Sequence, residues 1–144
     1  MRKLAAIMFT DLVGYSALSQ ENEALALELL EETVRERPDD VRVHAALGQV
    51  YAHLGFADRA IRESRQAVDL LPVSLDAFSG PLFLEDLAEV YTIVGEHDKA
   101  LEILAQLLAI PTSTSIGALK FYRVWDPLRE HPRFKALIEG YGEQ

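Results

Sequence analysis

The sequence is 144 residues long, with a formal net charge of −9 and no cysteine. That length suits a single domain with its own core and leaves little room for an elaborate enzyme. The charge disfavours nucleic acid and anionic membrane as partners, since both repel an acidic surface, and the missing thiols exclude a disulfide framework, a thiolate nucleophile and any cysteine-based zinc site.

At the amino terminus, MRKLAAIMF opens like a secretory leader, with two basic residues before an apolar run. The run spans only Leu4 to Phe9 before Thr10 and Asp11 interrupt it, too short for an h-region followed by a cleavage site. No other stretch approaches the roughly 18 apolar residues of a membrane span, so a soluble, cytoplasmic chain is expected. Residues 4–15 have the β-branched and aromatic content of a buried strand. A lone strand, however, leaves its backbone groups unpaired. A helix satisfies them and sets Leu4, Ile7, Met8, Leu12 and Tyr15 along related faces, so helix is the reading here and strand the alternative. A second helix is predicted over Glu23 to Arg37, carrying Leu27, Leu30 and Val34 at helical spacing and stopped by Pro38.

From Leu47 to Pro72 the chain reads LGQVYAHLGFADRAIRESRQAVDLLP, with Leu47, Gly48, Tyr51, Ala60, Ala67 and Pro72 at telling offsets. Small residues at Gly48 and Ala60 would let two helices approach closely, and Pro72 would stop the second. DLAEVYTIVGEHDKALEILAQLLAIP repeats the arrangement with Leu87, Ala88, Tyr91, Ala100 and Pro111. The turn-rich stretch Pro72 to Pro81 accommodates the extra residues between the copies. These offsets resemble the tetratricopeptide repeat, a helix–turn–helix unit of about 34 residues. One such period before the first copy, Gly14, Ala26 and Pro38 fall in register. The fold expected from the resemblance is all-α: a tetratricopeptide-like array of about three helix-turn-helix hairpins, forming a right-handed solenoid with a carboxyl-terminal capping segment. Within a single domain, 1–144, the parts are a degenerate hairpin (2–40), two repeat units (41–74 and 81–112) and the cap (113–144).

The amino-terminal segment from Arg2 to Glu32, with FTDLVGYS inside it, is similar to the start of the class III adenylate/guanylate cyclase catalytic domain. That resemblance implies Asp11 as a metal ligand and the Leu12 to Tyr15 backbone against a triphosphate. It then stops. The family's second metal-binding aspartate, its base-selecting residues and its transition-state Asn and Arg have no recognisable place here. One carboxylate cannot hold two Mg²⁺ ions, so no catalytic activity is expected. The later segments look like the carboxyl-terminal repeat regions of bacterial signalling proteins that join a cyclase or kinase to such an array. A protein- or peptide-binding scaffold is the expected function. The alternative is a truncated or regulatory cyclase fragment that binds metal and nucleotide through Asp11.

Repeat arrays present the first helix of each unit to extended peptides or partner helices. By the repeat pattern, the groove positions are Arg42, Ala45, Gln49, Ala52 and His53 in one unit, and Glu85, Asp86, Glu89 and Thr92 in the next. The Lys- and Asn-rich set of chaperone-binding relatives is absent, and the acidic end favours a basic or neutral peptide. A solvated helix face with no ligand is the plainer reading of Glu85, Asp86 and Glu89. The histidines His44, His53, His97 and His131 have no metal-ligand spacing, and no cofactor, metal, nucleic acid or membrane partner is expected. Self-association through exposed array ends is an expected hazard. In the tail, Asp126 is expected to cap a short turn with Pro127 in its first position, and Pro132 to start a last helix through Ile138. Phe121, Trp125, Phe134 and Leu137 are expected to cover the apolar end of the array.

Overall fold

The computed structural model describes residues 20–142, and the side chains of 23–141. The expectations for residues 4–15, and for Asp11 and Tyr15, lie outside the described residues. Every described element is helical: α1 (Gln20–Glu36), α2 (Val41–His53), α3 (Ala57–Leu70), α4 (Gly80–Val94), α5 (His97–Leu108), α6 (Ile116–Phe121), the 3-10 turn η1 (Arg123–Leu128) and α7 (Pro132–Gly142). No helix among the described residues is long and apolar enough to cross a membrane. The chain divides into two compact units, Met1–Leu71 and Pro72–Gln144.

In the first unit α1 packs on α2, and α2 on α3. The buried face of α1 is Ala26, Leu29, Leu30 and Thr33, an i, i+3, i+4, i+7 stripe. It is rotated from the predicted one: Leu30 is central, but Leu27 and Val34 lie half-buried on its shoulder. Pro38 follows the end of α1, because the residue before a proline is driven out of the helical region. Asp40, extended at φ −82° and ψ 102°, accepts the Arg42 N–H at 3.2 Å and so caps α2. His44 locks this corner. Its Nε2 lies 2.7 Å from the Pro38 carbonyl oxygen and its Nδ1 2.6 Å from Glu63 Oε2, tying the turn before α2 to the flank of α3.

The α2–α3 pair is built around a close approach. A Cβ on Gly48 would collide with Ser64 Oγ and lie 3.1 Å from the Ser64 nitrogen and 3.2 Å from the Ala60 carbonyl oxygen. The small residues do in space what their spacing implied, and Ala60 has no exposed surface at all.

In the second unit α4 packs on α5 and on η1, while α7 touches α5 and α6. Before α4, the Asp76 carboxylate accepts the N–H groups of Phe78 (2.9 Å) and Ser79 (2.8 Å). These bonds hold its pKa below the usual carboxylate range and turn the inserted segment into a hydrogen-bonded loop. Ser115 caps α6 by accepting the Ala118 N–H at 3.1 Å.

The tail departs from expectation in two places. Trp125 and Phe134 are buried and Leu137 half-buried, but Phe121 is 82% exposed. Leu119 and Trp125, both without exposed surface, take the interior instead, and α6 turns Phe121 outward. Asp126 does not cap a turn. It lies within η1 together with Pro127 and accepts Arg129 Nε at 2.6 Å.

Candidate functional site

The two helical pairs, α2–α3 and α4–α5, match in detail at a separation of 40 residues. Gly55 and Gly95 both adopt left-handed backbone, at φ +85° and +91°, where a side chain would be strained. The Phe56 N–H reaches the Tyr51 carbonyl at 2.9 Å and the Glu96 N–H the Tyr91 carbonyl at 2.8 Å. The Gly55 N–H reaches Ala52 at 3.1 Å and the Gly95 N–H Thr92 at 3.3 Å. This is the six-to-one, five-to-two bond pattern that closes a helix on a left-handed glycine. The next helix restarts alike, with the Ala60 N–H on the Phe56 carbonyl at 2.9 Å and the Ala100 N–H on the Glu96 carbonyl at 3.1 Å. A cation covers the tyrosine ring in each pair: Arg59 at 5.8 Å from the Tyr51 centroid, Lys99 at 5.6 Å from that of Tyr91.

The first helices of these pairs carry the predicted groove residues. On α2, Arg42 and His53 are exposed and Gln49 is half-buried. Part of the His53 ring stays open to solvent, yet the surrounding chain strips enough water to lower its pKa, against an opposing pull from the Glu23 carboxylate. Ala45 and Ala52 are buried. They belong to the packing of the unit, which corrects their assignment to a ligand face.

On α4, Glu85, Asp86 and Glu89 are half-buried. Glu85 is engaged within its own unit, because Oε2 accepts the Thr114 hydroxyl at 2.7 Å. Thr92 has little exposed surface. Its hydroxyl donates back to the Ala88 carbonyl at 2.8 Å, a bond available to any helical threonine facing a packed neighbour. Thr33 of α1 does the same to Leu29 at 2.6 Å.

The charged and polar groove positions with exposed surface are thus Arg42, Gln49 and His53 on α2, and Glu85, Asp86 and Glu89 on α4. No group of three or more metal-ligating side chains occurs among the described residues. Comparison of the chain with protein-family models and with curated proteins finds no match.

Among the polar pairings that sequence reasoning missed are His44 with Glu63, Tyr51 with Glu31 at 2.7 Å, and Glu85 with Thr114. Each joins residues 19 or more positions apart, and no local spacing announces such a contact.

Proposed function

We propose that this protein is a peptide- or protein-binding scaffold of the tetratricopeptide type, with no chemistry of its own. The observation that carries the reading is the duplicated hairpin. Tyr51, Gly55 and Ala60 make the same backbone bonds as Tyr91, Gly95 and Ala100, 40 residues later. Helical repeats that reuse one junction in this way expose the first helix of each unit to extended ligands. In the first unit that helix offers Arg42, Gln49 and His53, which can donate hydrogen bonds to peptide carbonyls. In the second it offers Glu85, Asp86 and Glu89, whose carboxylates favour a basic or neutral segment and repel an acidic one.

The test is a titration of the ¹⁵N-labelled chain with a short Lys/Ala peptide and, separately, with its Glu/Ala counterpart. The expected result is saturable shifts at α2 and α4 amides with the basic peptide, weakened by E85Q/D86N/E89Q and absent with the acidic peptide. Identical responses to both peptides, or shifts confined to other elements, would overturn the reading.

A further inference from the structure

The corner between α6 and η1 puts Lys120, Phe121, Tyr122 and Arg123 in a row, all exposed. Phe121 is 82% and Tyr122 60% exposed, an unusual amount of aromatic surface to leave in water. The chain cannot simply turn these rings inward. Leu119 on one side and Trp125 on the other are wholly buried and anchor both ends of the corner. Between them the backbone is clamped by Arg129, whose Nη2 donates to the Tyr122 carbonyl at 3.1 Å and Nη1 to the Leu119 carbonyl at 3.4 Å. The aromatic pair is held out by design of the corner rather than by looseness.

Charge is segregated around it. From Ile103 to Trp125 there is no acidic residue, although the chain as a whole is strongly acidic. Between Ile116 and Ile138 stand five basic residues, Lys120, Arg123, Arg129, Arg133 and Lys135, against two acidic ones, Asp126 and Glu130. Three of the five are paired: Arg129 with Asp126, Arg133 with Asp98, Lys135 with Glu130. Lys120 and Arg123, the two that flank the rings, have no ion-pair partner among the described residues.

The geometry points to this corner as a docking site for a partner protein whose contact segment is acidic and carries apolar side chains. Exposed Phe and Tyr bracketed by cations supply the aromatic anchor and the charge that such a segment needs. Two cations are too few to hold an anionic bilayer or a nucleic acid against the repulsion of a chain with net charge −9. A short protein segment meets only the local positive field, within a screening length of about 8 Å. The corner is formed by residues of α6 and η1 and the carboxylate-bearing face by residues of α4, and the two call for ligands of opposite charge.

The probe is an amphipathic peptide of Glu and Leu, titrated into the ¹⁵N-labelled full chain, with a Lys/Leu peptide of the same pattern as control. The expected result is shifts centred on Lys120 to Trp125 with the acidic peptide only. Affinity should fall about tenfold or more in F121S/Y122S and in K120E/R123E, and should not fall in E85Q/D86N/E89Q. All of these positions lie at least partly on the surface, so circular dichroism of the variants should match the parent. No shifts at the corner, equal binding of both peptides, or indifference to both corner variants would overturn the proposal. So would corner shifts that follow protein concentration without peptide, which would assign the surface to a second copy. Corner shifts with phosphatidylserine vesicles but not with the acidic peptide would assign it to membrane instead.

Discussion

Gly48 and Ser64 face each other across the α2–α3 contact with no room for a methyl group between them. A Cβ on Gly48 would strike Ser64 Oγ and press on the Ser64 nitrogen and Ala60 carbonyl oxygen, both within 3.2 Å. Two effects compete in G48A. Alanine gains about 1 kcal/mol of helix propensity over glycine, while overpacking a tight contact costs about 1–3 kcal/mol. Backbone atoms of α3 cannot rotate away, so the clash wins and G48A lowers stability by about 1–2 kcal/mol. The Ser64 hydroxyl is itself buried without a hydrogen-bond partner, so S64A alone is neutral or slightly stabilising. The double variant G48A/S64A removes the Oγ clash and recovers part of the G48A loss, the backbone contacts keeping the rest. Urea unfolding of the three variants reads this coupling; additive losses would show that the hydroxyl is not what Gly48 makes room for.

Tyr51 gives a pH dependence with a definite sign. Burial first, then its hydrogen bond to Glu31 and the charge of that carboxylate, push the phenol from 10.0 up to about 12, while Arg59 pulls it down. The folded value lies above the unfolded one, so the stabilisation is complete below about pH 10 and lost as pH rises toward 12. Tyr51→Phe removes both the hydrogen bond and the titration. Near neutrality the variant is less stable by about 1 kcal/mol, and above about pH 11 the gap to the parent closes or reverses. Denaturation curves of the two proteins that stay parallel across that range would refute the assignment.

The backbone punctuation of the fold was legible in the sequence because its causes are local. Pro38, Pro72 and Pro132 act through a fixed φ and a missing N–H, so they mark helix boundaries wherever they occur. Gly48 and Ala60 could be read as a close approach because the same small-residue spacing recurs at Ala88 and Ala100. Facing was harder to read. The stripe on α1 came out rotated because Leu27 and Leu30 look alike in sequence, and packing partners distant along the chain decide which is covered.

The candidate site was legible only in outline. Ala45, Ala52 and Thr92 lie at the right helical register, but the neighbours that bury them are not adjacent in sequence. Phe121 was read as a cap because aromatic residues usually bury, yet Leu119 occupies that place and Arg129 fixes the outward turn.

Arg129 is the residue on which that turn depends. Its three nitrogens reach Asp126 Oδ1 at 2.6 Å, the Tyr122 carbonyl at 3.1 Å and the Leu119 carbonyl at 3.4 Å. A planar fork can serve three acceptors in different directions; a lysine ammonium on its flexible stem cannot. Arg129→Lys therefore keeps the charge but loses about 1 kcal/mol, with the effect concentrated in the tail. Amide hydrogen exchange should quicken from Tyr122 to Leu128 and stay unchanged in α2 and α3. A uniform change across the chain would mean that the clamp is not local.

The repeated junction makes the sharpest comparison between the two units. Gly55 and Gly95 sit at φ +85° and +91° with open space where a Cβ would point, nothing lying within 4 Å of either. Steric crowding from neighbours is therefore absent, and the cost of alanine at each position is backbone strain alone, about 1–2 kcal/mol. Because both helices end through the same pair of bonds, to Tyr51 and Ala52 in one unit and Tyr91 and Thr92 in the other, G55A and G95A should cost equal amounts within a few tenths of a kcal/mol. Asparagine, which tolerates the left-handed region better than alanine, should restore part of the loss at both sites. Thermal or urea unfolding of the four variants reads the result. A large loss at one glycine beside none at the other would mean that the two junctions are alike in geometry but not in the strain they carry.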